Sequence, residues 1–205
     1  MANELVKGWL TLDKDGGSGN DTVTASANQN NTGRNSRSTT ATFKAAGCND
    51  VPVTVNQAGK AEFVAFDSGS ASALKIGGTV TLSGTSNSSK LTFSKGTDNI
   101  GITLPAAYTA AGTSTNNSAA ISGDPGASQQ YAFSIQLTVP ANTGVTDLTC
   151  QIIVTDNAGH TSTCTLTLAA GDATLSVSPL TIDLPWDGST TGTITVTSNT
   201  NWTVE

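Results

Sequence analysis

The sequence has few basic side chains, and this scarcity excludes two classes of partner. Of its 205 residues only nine are Lys or Arg, against 15 Asp or Glu, so the formal net charge is -6. Nucleic acid requires clustered cations to neutralise its phosphates, and an anionic membrane surface attracts the same groups. No apolar run approaches the roughly 18 residues that a bilayer-spanning segment needs. We therefore expect neither a nucleic acid nor a membrane as a partner.

Histidine is almost absent, which argues against most nucleophilic and metal chemistry. The single histidine, His160, follows a turn, and Thr161, Ser162 and Cys164 merely alternate along the strand after it. A catalytic base must lie beside a nucleophile and be oriented by a third group. A zinc site needs more His and Cys than any cluster in this sequence offers. The sequence predicts a protein that is not an enzyme, with no catalytic residue, no metal and no cofactor.

One acidic run bears a faint likeness to a calcium loop. Asp13, Asp15, Asn20 and Asp21 place oxygen ligands close together in the run DKDGGSGND. A calcium loop needs glycine at its sharp bend, where this chain has Ser18, and a closing Glu, which does not follow. We therefore interpret the run as a turn between strands. The other acidic residues fall at turns, where Asp is favoured by local hydrogen bonding, and they predict no glycosidase pair.

Cysteine is limited to three residues, which cannot all pair within one chain. Cys150 and Cys164 flank the turn at residues 156–159 and have equal parity, so their side chains share one face of a hairpin. This pattern fits either a disulfide across the hairpin or two buried free thiols. Cys48 lies in a turn-like run and is expected to be only a small residue there.

Short runs of alternating apolar and polar residues fill the chain, separated by many of its 21 glycines. A period of two indicates β-strands with one buried face. We therefore predict an all-β fold with two immunoglobulin-like β-sandwich domains. The predicted strands before residue 173 are 9–12, 21–27, 39–45, 51–56, 74–76, 80–82, 91–93, 100–104, 131–139, 148–155 and 163–168.

Residues 61–172 carry about seven of these runs, the number expected of one immunoglobulin-like sandwich. We predict that they form a separate domain. Within it, the polar residues 109–130 lack the alternating pattern and predict a projecting loop or an irregular edge.

Residues 173–205 have the pattern of half a sandwich. Apolar runs at 175–177, 180–184 and 194–196 are separated by prolines and an Asp-Gly turn, and a fourth run begins at Asn201. So few strands leave an apolar face and an unpaired edge exposed. We expect other strands to complete this segment.

The segment expected to complete residues 173–205 resembles a known family. The run GWLTLDKDGGSGNDTVTASANQNNTGRNSRSTTATFKAAGCNDVPVTVNQAG resembles the latter half of a BACON domain, an immunoglobulin-like sandwich of gut Bacteroidetes proteins and their phages. Its marks are the W-L-T start, the G-S-G-N loop, the N-T-G-R-x-x-R turn before T-A-T-F, and the closing V-T-V-N-Q-A-G. Residues 173–205, with L-S-V-S-P, a D-G-S turn and T-V-T-S-N-T-N-W-T-V, resemble the first half.

This resemblance implies one BACON-like sandwich built from residues 1–60 and 173–205. The two parts are either circularly permuted within one chain or shared between subunits, as in structural proteins of crAss-like phages. We favour closure within the chain, because local closure has the higher effective concentration. If subunits share the domain, the linking strand is expected to contain Thr193, Ile194, Thr195 and Val196.

Trp9, Trp186 and Trp202 all fall in this split domain and have two interpretations. Flat aromatic faces stack on sugar rings, which would make them a glycan platform. Alternatively they pack in the core, where an indole buries a large area, and we expect this for Trp9 or Trp202.

These observations lead to the hypothesis of a non-enzymatic structural protein of a bacteriophage virion, such as a head fibre, capsid decoration or tail accessory. The chain start lacks the basic and apolar regions of an export signal, which a phage protein released by lysis does not need. Expected partners are other virion proteins, further copies of the chain, and host or mucosal glycans. The alternative is a carbohydrate-binding module of a secreted or cell-surface Bacteroidetes protein.

Overall fold

The fold is all-β, as predicted, and comprises one complete sandwich, a smaller half-sandwich and a separate hairpin. A computed structural model describes residues 3–205; residues 1 and 2, which the predicted domain 1–60 includes, lie outside the described residues. None of the residues that the structure describes forms a helix with the length and apolarity needed to cross a bilayer. The strands are β1 (Leu5–Lys7), β2 (Leu10–Leu12), β3 (Ala25–Ala27), β4 (Arg37–Phe43), β5 (Val51–Gln57), β6 (Val64–Phe66), β7 (Ser70–Ala73), β8 (Gly78–Ser86), β9 (Leu91–Asp98), β10 (Ala107–Ala110), β11 (Thr113–Asn116), β12 (Tyr131–Val139), β13 (Leu148–Asp156), β14 (Thr161–Leu168), β15 (Leu175–Ser178) and β16 (Thr195–Ser198).

Residues 61–172, here called the central sandwich, form two packed sheets. One sheet has the order β11-β10-β12-β8-β6 and the other β7-β14-β13-β9. The alternation of side chains along each strand produces the buried layer between the two sheets. In β12, for example, every second residue from Tyr131 to Val139 is buried. Aromatic rings fill the middle of the core: the centroid of Phe93 lies 4.8 Å from that of Tyr108 and 5.8 Å from that of Phe133.

Residues 4–58, here called the N-terminal half-sandwich, have a much smaller core. The sheet β1-β2-β3 faces the hairpin β4-β5. Leu10, Leu12 and Ala41 are buried between them, with Trp9 and Val55 among the residues packed alongside. This half-sandwich covers only part of its own apolar surface.

Residues 173–205, here called the C-terminal segment, form the hairpin β15-β16, whose strands pair with each other. In the described residues no strand of this segment pairs with a strand of the N-terminal half-sandwich. Closure within the chain, which we favoured from the sequence, is therefore not the arrangement found. The joined sandwich itself stays a prediction.

The central sandwich has two ends, defined by its longest strand pair. β8 and β12 pair along their whole length, with Ser86 opposite Tyr131 at one end and Gly78 opposite Val139 at the other. We call these the junction end and the tail end. Nine residues of strand separate them by roughly 30 Å.

Each end of the central sandwich carries one of the two smaller parts. The N-terminal half-sandwich attaches at the junction end, where Arg34 donates to the carbonyl oxygen of Asn87 over 2.7 Å. The C-terminal segment attaches at the tail end, where Asn199 Nδ2 donates to the carbonyl oxygen of Thr143 over 3.1 Å. The two parts of the predicted BACON-like sandwich therefore lie at opposite ends of the central one.

Four predicted strands are wrong in this structure. Residues 74–76, 100–104, 180–184 and 201–204 lie outside the assigned strands. At the first of these the chain turns instead, since the Gly77 amide donates to the Leu74 carbonyl and Gly77 has a φ of 72°. Ile100 and Ile102 are buried, as their apolar side chains indicate, but their backbone does not form a strand.

The segment predicted to lack strands, 109–130, contains part of a hairpin. β10 pairs with β11 through the two residues Ala111 and Gly112, whose φ values are 49° and 76°. Positive φ at both central positions defines a type I′ turn, the connection whose twist matches that of a hairpin. The sequence did not predict this turn, because Ala is an uncommon residue at a positive φ.

The structure distinguishes between the disulfide and the two free thiols that the sequence left open for Cys150 and Cys164. Cys150 and Cys164 are buried free thiols, so the disulfide is not formed, and Cys48 is exposed. The strand register gives the reason: Cys150 lies opposite Leu166, and Cys164 lies opposite Ile152. Diagonal neighbours of this kind have Cβ atoms about 7 Å apart, whereas a disulfide needs about 4 Å.

Candidate binding surface

An open groove, lined by apolar and polar residues in about equal measure, marks the N-terminal half-sandwich. It has a volume of about 530 Å³ and lies between the sheet β1-β2-β3 and the hairpin β4-β5. Leu12 and Ala41 are buried within it, whereas Leu5 is 41% exposed and Phe43 is 42% exposed. The loop at residues 13–21 and Lys44 form a polar rim. The groove has the character of a core that its own strands leave unfilled.

The apolar face of β5 extends this unfilled surface. Val51 and Val53 lie on the same side of the strand as Val55, which packs against the small core. Val53, directly opposite Ala41 in the strand register, is nevertheless 44% exposed. Further strands or another apolar surface would be needed to cover these side chains.

The C-terminal segment presents a second uncovered apolar face. Val177 lies directly opposite Val196 in the hairpin β15-β16, and Leu175 shares the face of Val177. Val177 is 41% exposed and Leu175 more so. The sequence predicted a linking strand at residues 193–196; of these, Thr195 and Val196 belong to β16, and Ile194 before them is exposed.

The three tryptophans have different surroundings. Trp9 is partly buried beside the small core, and the guanidinium of Arg37 lies 5.0 Å from its ring. Trp202 is 48% exposed and Trp186 is 99% exposed. Trp186 lies in a turn closed by the Gly188 amide, which donates to the Pro185 carbonyl. The structure therefore does not bring the three rings together into one platform at the surface of one half-sandwich.

A charged junction fixes the N-terminal half-sandwich to the central sandwich. The guanidinium of Arg34 donates two hydrogen bonds of 2.7 Å to the carboxylate of Asp124, and its Nε lies 3.3 Å from Glu62 Oε1. This pairing lowers the pKa of Asp124 and raises that of Arg34. All three side chains are mostly buried, so their attraction is weakly screened by solvent.

Buried hydrogen bonds support this junction from the central sandwich. The amide of Asn87 donates to the carbonyl oxygens of Ala61 and Ala127, both over 3.0 Å. The hydroxyl of Tyr131 donates to the Ser88 carbonyl over 2.6 Å, and burial raises the pKa of Tyr131 to about 12. Satisfied networks of this kind fix one arrangement of their parts, so the junction sets the direction in which the groove faces.

His160, the histidine considered for catalysis, lies at a turn and is hydrogen-bonded to Asp156. His160 Nδ1 lies 2.8 Å from Asp156 Oδ2, and the His160 amide donates to Asp156 Oδ1 over 2.8 Å. The carboxylate of Asp156 is fully buried while the imidazole is about half exposed. Asp156 therefore closes the β13-β14 hairpin turn and holds the imidazole against it.

The acidic run at residues 13–21 is also accounted for by local contacts. Asp21 pairs with Lys14 at 2.8 Å, and this pairing lowers the pKa of Asp21. Asp13 accepts a hydrogen bond from the Thr24 amide, and Asp15 accepts one from the Asn3 amide. Within residues 3–205 the structure gathers no group of three or more His, Cys, Asp or Glu suited to a metal ion.

The sequence did not reveal the junction residues. Arg34 stood in the N-T-G-R-x-x-R turn, and Asp124 in a polar segment 90 residues away along the chain. Only the fold brings them together, and one sequence offers no local signal for such a pair. The buried Asn87 was equally hidden, because it lies in the polar run after β8.

Comparison with known families identifies one part of the chain. Residues 4–58 match the family model BACON, described as "Putative binding domain, N-terminal". The matched range contains all five strands β1–β5 and confirms the BACON resemblance of these residues. The resemblance of residues 173–205 to the first half of such a domain stays a prediction. No curated protein matches the chain.

Proposed function

We propose that this chain, whose residues 4–58 match the BACON family model, is a non-enzymatic structural protein of a bacteriophage virion. In this role it serves as a head fibre, capsid decoration or tail accessory and contacts host or mucosal glycans. One observation carries the proposal. A well-packed central sandwich holds two uncovered apolar surfaces at opposite ends, which suits a protein whose task is contact.

The chemistry of the described side chains supports a role without catalysis. His160 bonds to the carboxylate that closes its own turn. The buried thiols of Cys150 and Cys164 have raised pKa values, about 11 for Cys150, because burial disfavours the thiolate. Thiols of this kind stay protonated near neutral pH and are poor nucleophiles.

A glycan contact is supported by Trp186. Its indole is 99% exposed and follows Pro185 in a hydrogen-bonded turn, so the ring is displayed on a restrained backbone. The adjacent Asp187 accepts a hydrogen bond from the Ser189 amide over 3.0 Å. An indole face beside polar groups is the arrangement that stacks on a sugar ring while neighbours bond its hydroxyls.

The glycan contact is tested by a glycan array followed by calorimetric titration of the best ligand. We expect Trp186→Ala to weaken binding at least tenfold, since it removes the stacking face. Leu180→Ala is the matched control, because Leu180 is another strongly exposed apolar residue of the same segment, at 85%. Absence of any glycan ligand, or equal losses in both variants, would contradict the proposed contact.

The virion role is tested by mass spectrometry of purified phage particles. We expect peptides of this chain to co-purify with the particles at the stoichiometry of a capsid or tail component. Its absence from particles whose other structural proteins are all detected would overturn the virion role.

The second candidate is a carbohydrate-binding module of a secreted or cell-surface Bacteroidetes protein. The exposure of Trp186 favours it as much as it favours a glycan contact by a virion. Both candidates predict glycan binding in the calorimetric titration. Only the virion role predicts that the chain is found in purified phage particles.

A further inference from the structure

We propose that the C-terminal segment of one copy occupies the groove of a second copy and completes its half-sandwich, so that copies join head to tail. The partner is therefore another copy of this chain. This inference concerns assembly and depends on neither the virion role nor glycan binding.

Both surfaces of the proposed contact lack cover in the described structure. The groove leaves Leu5 and Phe43 about two-fifths exposed, and the hairpin β15-β16 leaves Leu175 and Val177 exposed. Exposed apolar side chains are unremarkable singly, but grouped on sheet faces they mark contact sites. Joining the two would bury both groups at once.

The two surfaces also match in form. The hairpin offers an alternating strand face with Val177 opposite Val196, and the groove is a gap between two sheets. β4 and β5 pair only with each other among the named strands, so each offers an open edge. A strand that adds to such an edge forms ladder hydrogen bonds while its alternate side chains enter the groove.

Closure within one copy is opposed by the position of the two parts. The N-terminal half-sandwich is held at the junction end by Arg34, Glu62 and Asp124. At the tail end Lys75 pairs with Asp172 at 2.5 Å, directly before the C-terminal segment. The roughly 30 Å between the ends separates the hairpin from the groove of its own chain. A second copy can bring its groove to that hairpin.

Charge favours the groove over the central sandwich as the acceptor. Residues 173–205 contain three acidic and no basic side chains, so the segment has a net charge of -3. Residues 61–172 have a net charge of -4, whereas residues 4–58 are neutral and contain five of the nine basic side chains of the chain. The N-terminal half-sandwich is therefore the part that does not repel the incoming segment.

The proposed contact joins two different surfaces, and this difference determines how the assembly grows. The donor surface and the acceptor surface are different parts of the chain, so the interface is heterologous. Each copy that donates its segment still has a free groove. Successive copies therefore form an open chain, or a ring where the rotation between copies closes.

The test is native mass spectrometry and light scattering of the full chain over a range of concentrations. We expect multiples of the 20.6 kDa chain to appear as concentration rises. Val177→Glu on the donor face and Phe43→Glu in the groove should each weaken assembly about a hundredfold, because the new carboxylate would be buried without a partner. Leu74→Glu, an exposed apolar position of the central sandwich, is the control and should assemble normally.

Mixing the two defective variants gives the sharpest outcome. Val177→Glu keeps an intact groove and Phe43→Glu keeps an intact segment, so their mixture should form dimers containing one copy of each and nothing larger. This result also shows that both variants are folded. A chain that stays monomeric up to high micromolar concentration, or a dimer that survives both single substitutions, overturns the inference.

Discussion

The reactivity of each cysteine is set by its immediate surroundings. Burial and the neighbouring Asp98 raise the pKa of Cys150 to about 11, and burial raises that of Cys164, so both are protonated thiols near neutral pH. Cys48 is exposed in the turn between β4 and β5.

We expect a thiol reagent at pH 8 to modify Cys48 rapidly, and Cys150 and Cys164 only when the central sandwich opens. Peptide mass spectrometry after timed labelling identifies each site, and labelling in denaturant is the control in which all three react. Rapid native modification of Cys150 would contradict the packing described.

At the scale of single residues, the sequence predicted which side chains are buried better than it predicted which side chains lie next to each other. The parity of Cys150 and Cys164 correctly placed both side chains on one buried face. It could not distinguish opposite from diagonal positions, because the register depends on how the hairpin turn is closed by Asp156. Whether Trp9, Trp186 and Trp202 bind glycans stays a prediction.

At the scale of elements, Arg34 couples the N-terminal half-sandwich to the central sandwich. We expect Arg34→Met to destabilise the docked arrangement by about 1–3 kcal/mol at pH 7, since it leaves Asp124 without its cation. The measurement is the rate of proteolysis near residues 58–62, which should rise. Lys44→Met is the matched control, because Lys44 and its partner Asp50 are exposed and such pairs contribute little.

The effect of Arg34→Met is expected to depend on pH. The pKa of Asp124 is lowered in the folded state, so its pairing stabilises the junction above the unfolded pKa of about 3.9 and is lost as pH falls through the folded value. The difference between Arg34→Met and the unmodified chain should therefore be full at pH 7 and fade below about pH 4. A difference that grows on acidification would contradict the role of this pair.

The strands that the sequence predicted well are those with long, strict alternation. Residues 131–139 were predicted with the bounds that β12 has, because nine alternating residues leave one interpretation. Residues 180–184 alternate equally well, yet they form no assigned strand and Leu180 is exposed. Alternation shows that a segment is suited to a sheet, whereas a strand also needs a neighbour to pair with, and that neighbour depends on the fold.

At the scale of the whole molecule, stability is distributed unevenly. Among the described residues, 21 are buried in the core of the central sandwich, whereas three are buried in that of the N-terminal half-sandwich. A small core recovers less of the entropy that folding costs. The two parts share the polar junction at Arg34 but no common apolar core, so they are free to open separately.

We therefore expect hydrogen exchange of the dilute chain to be fastest in β1–β5 and β15–β16 and slowest in β8, β12, β13 and β14. Raising the concentration should slow exchange in the first group alone, because a second copy covers the groove and the hairpin but leaves the central core unchanged. Phe43→Glu provides the control, since its exchange should not respond to concentration. Equal protection of all strands at low concentration would show that the half-sandwiches are stable without a partner and would remove the physical reason for assembly.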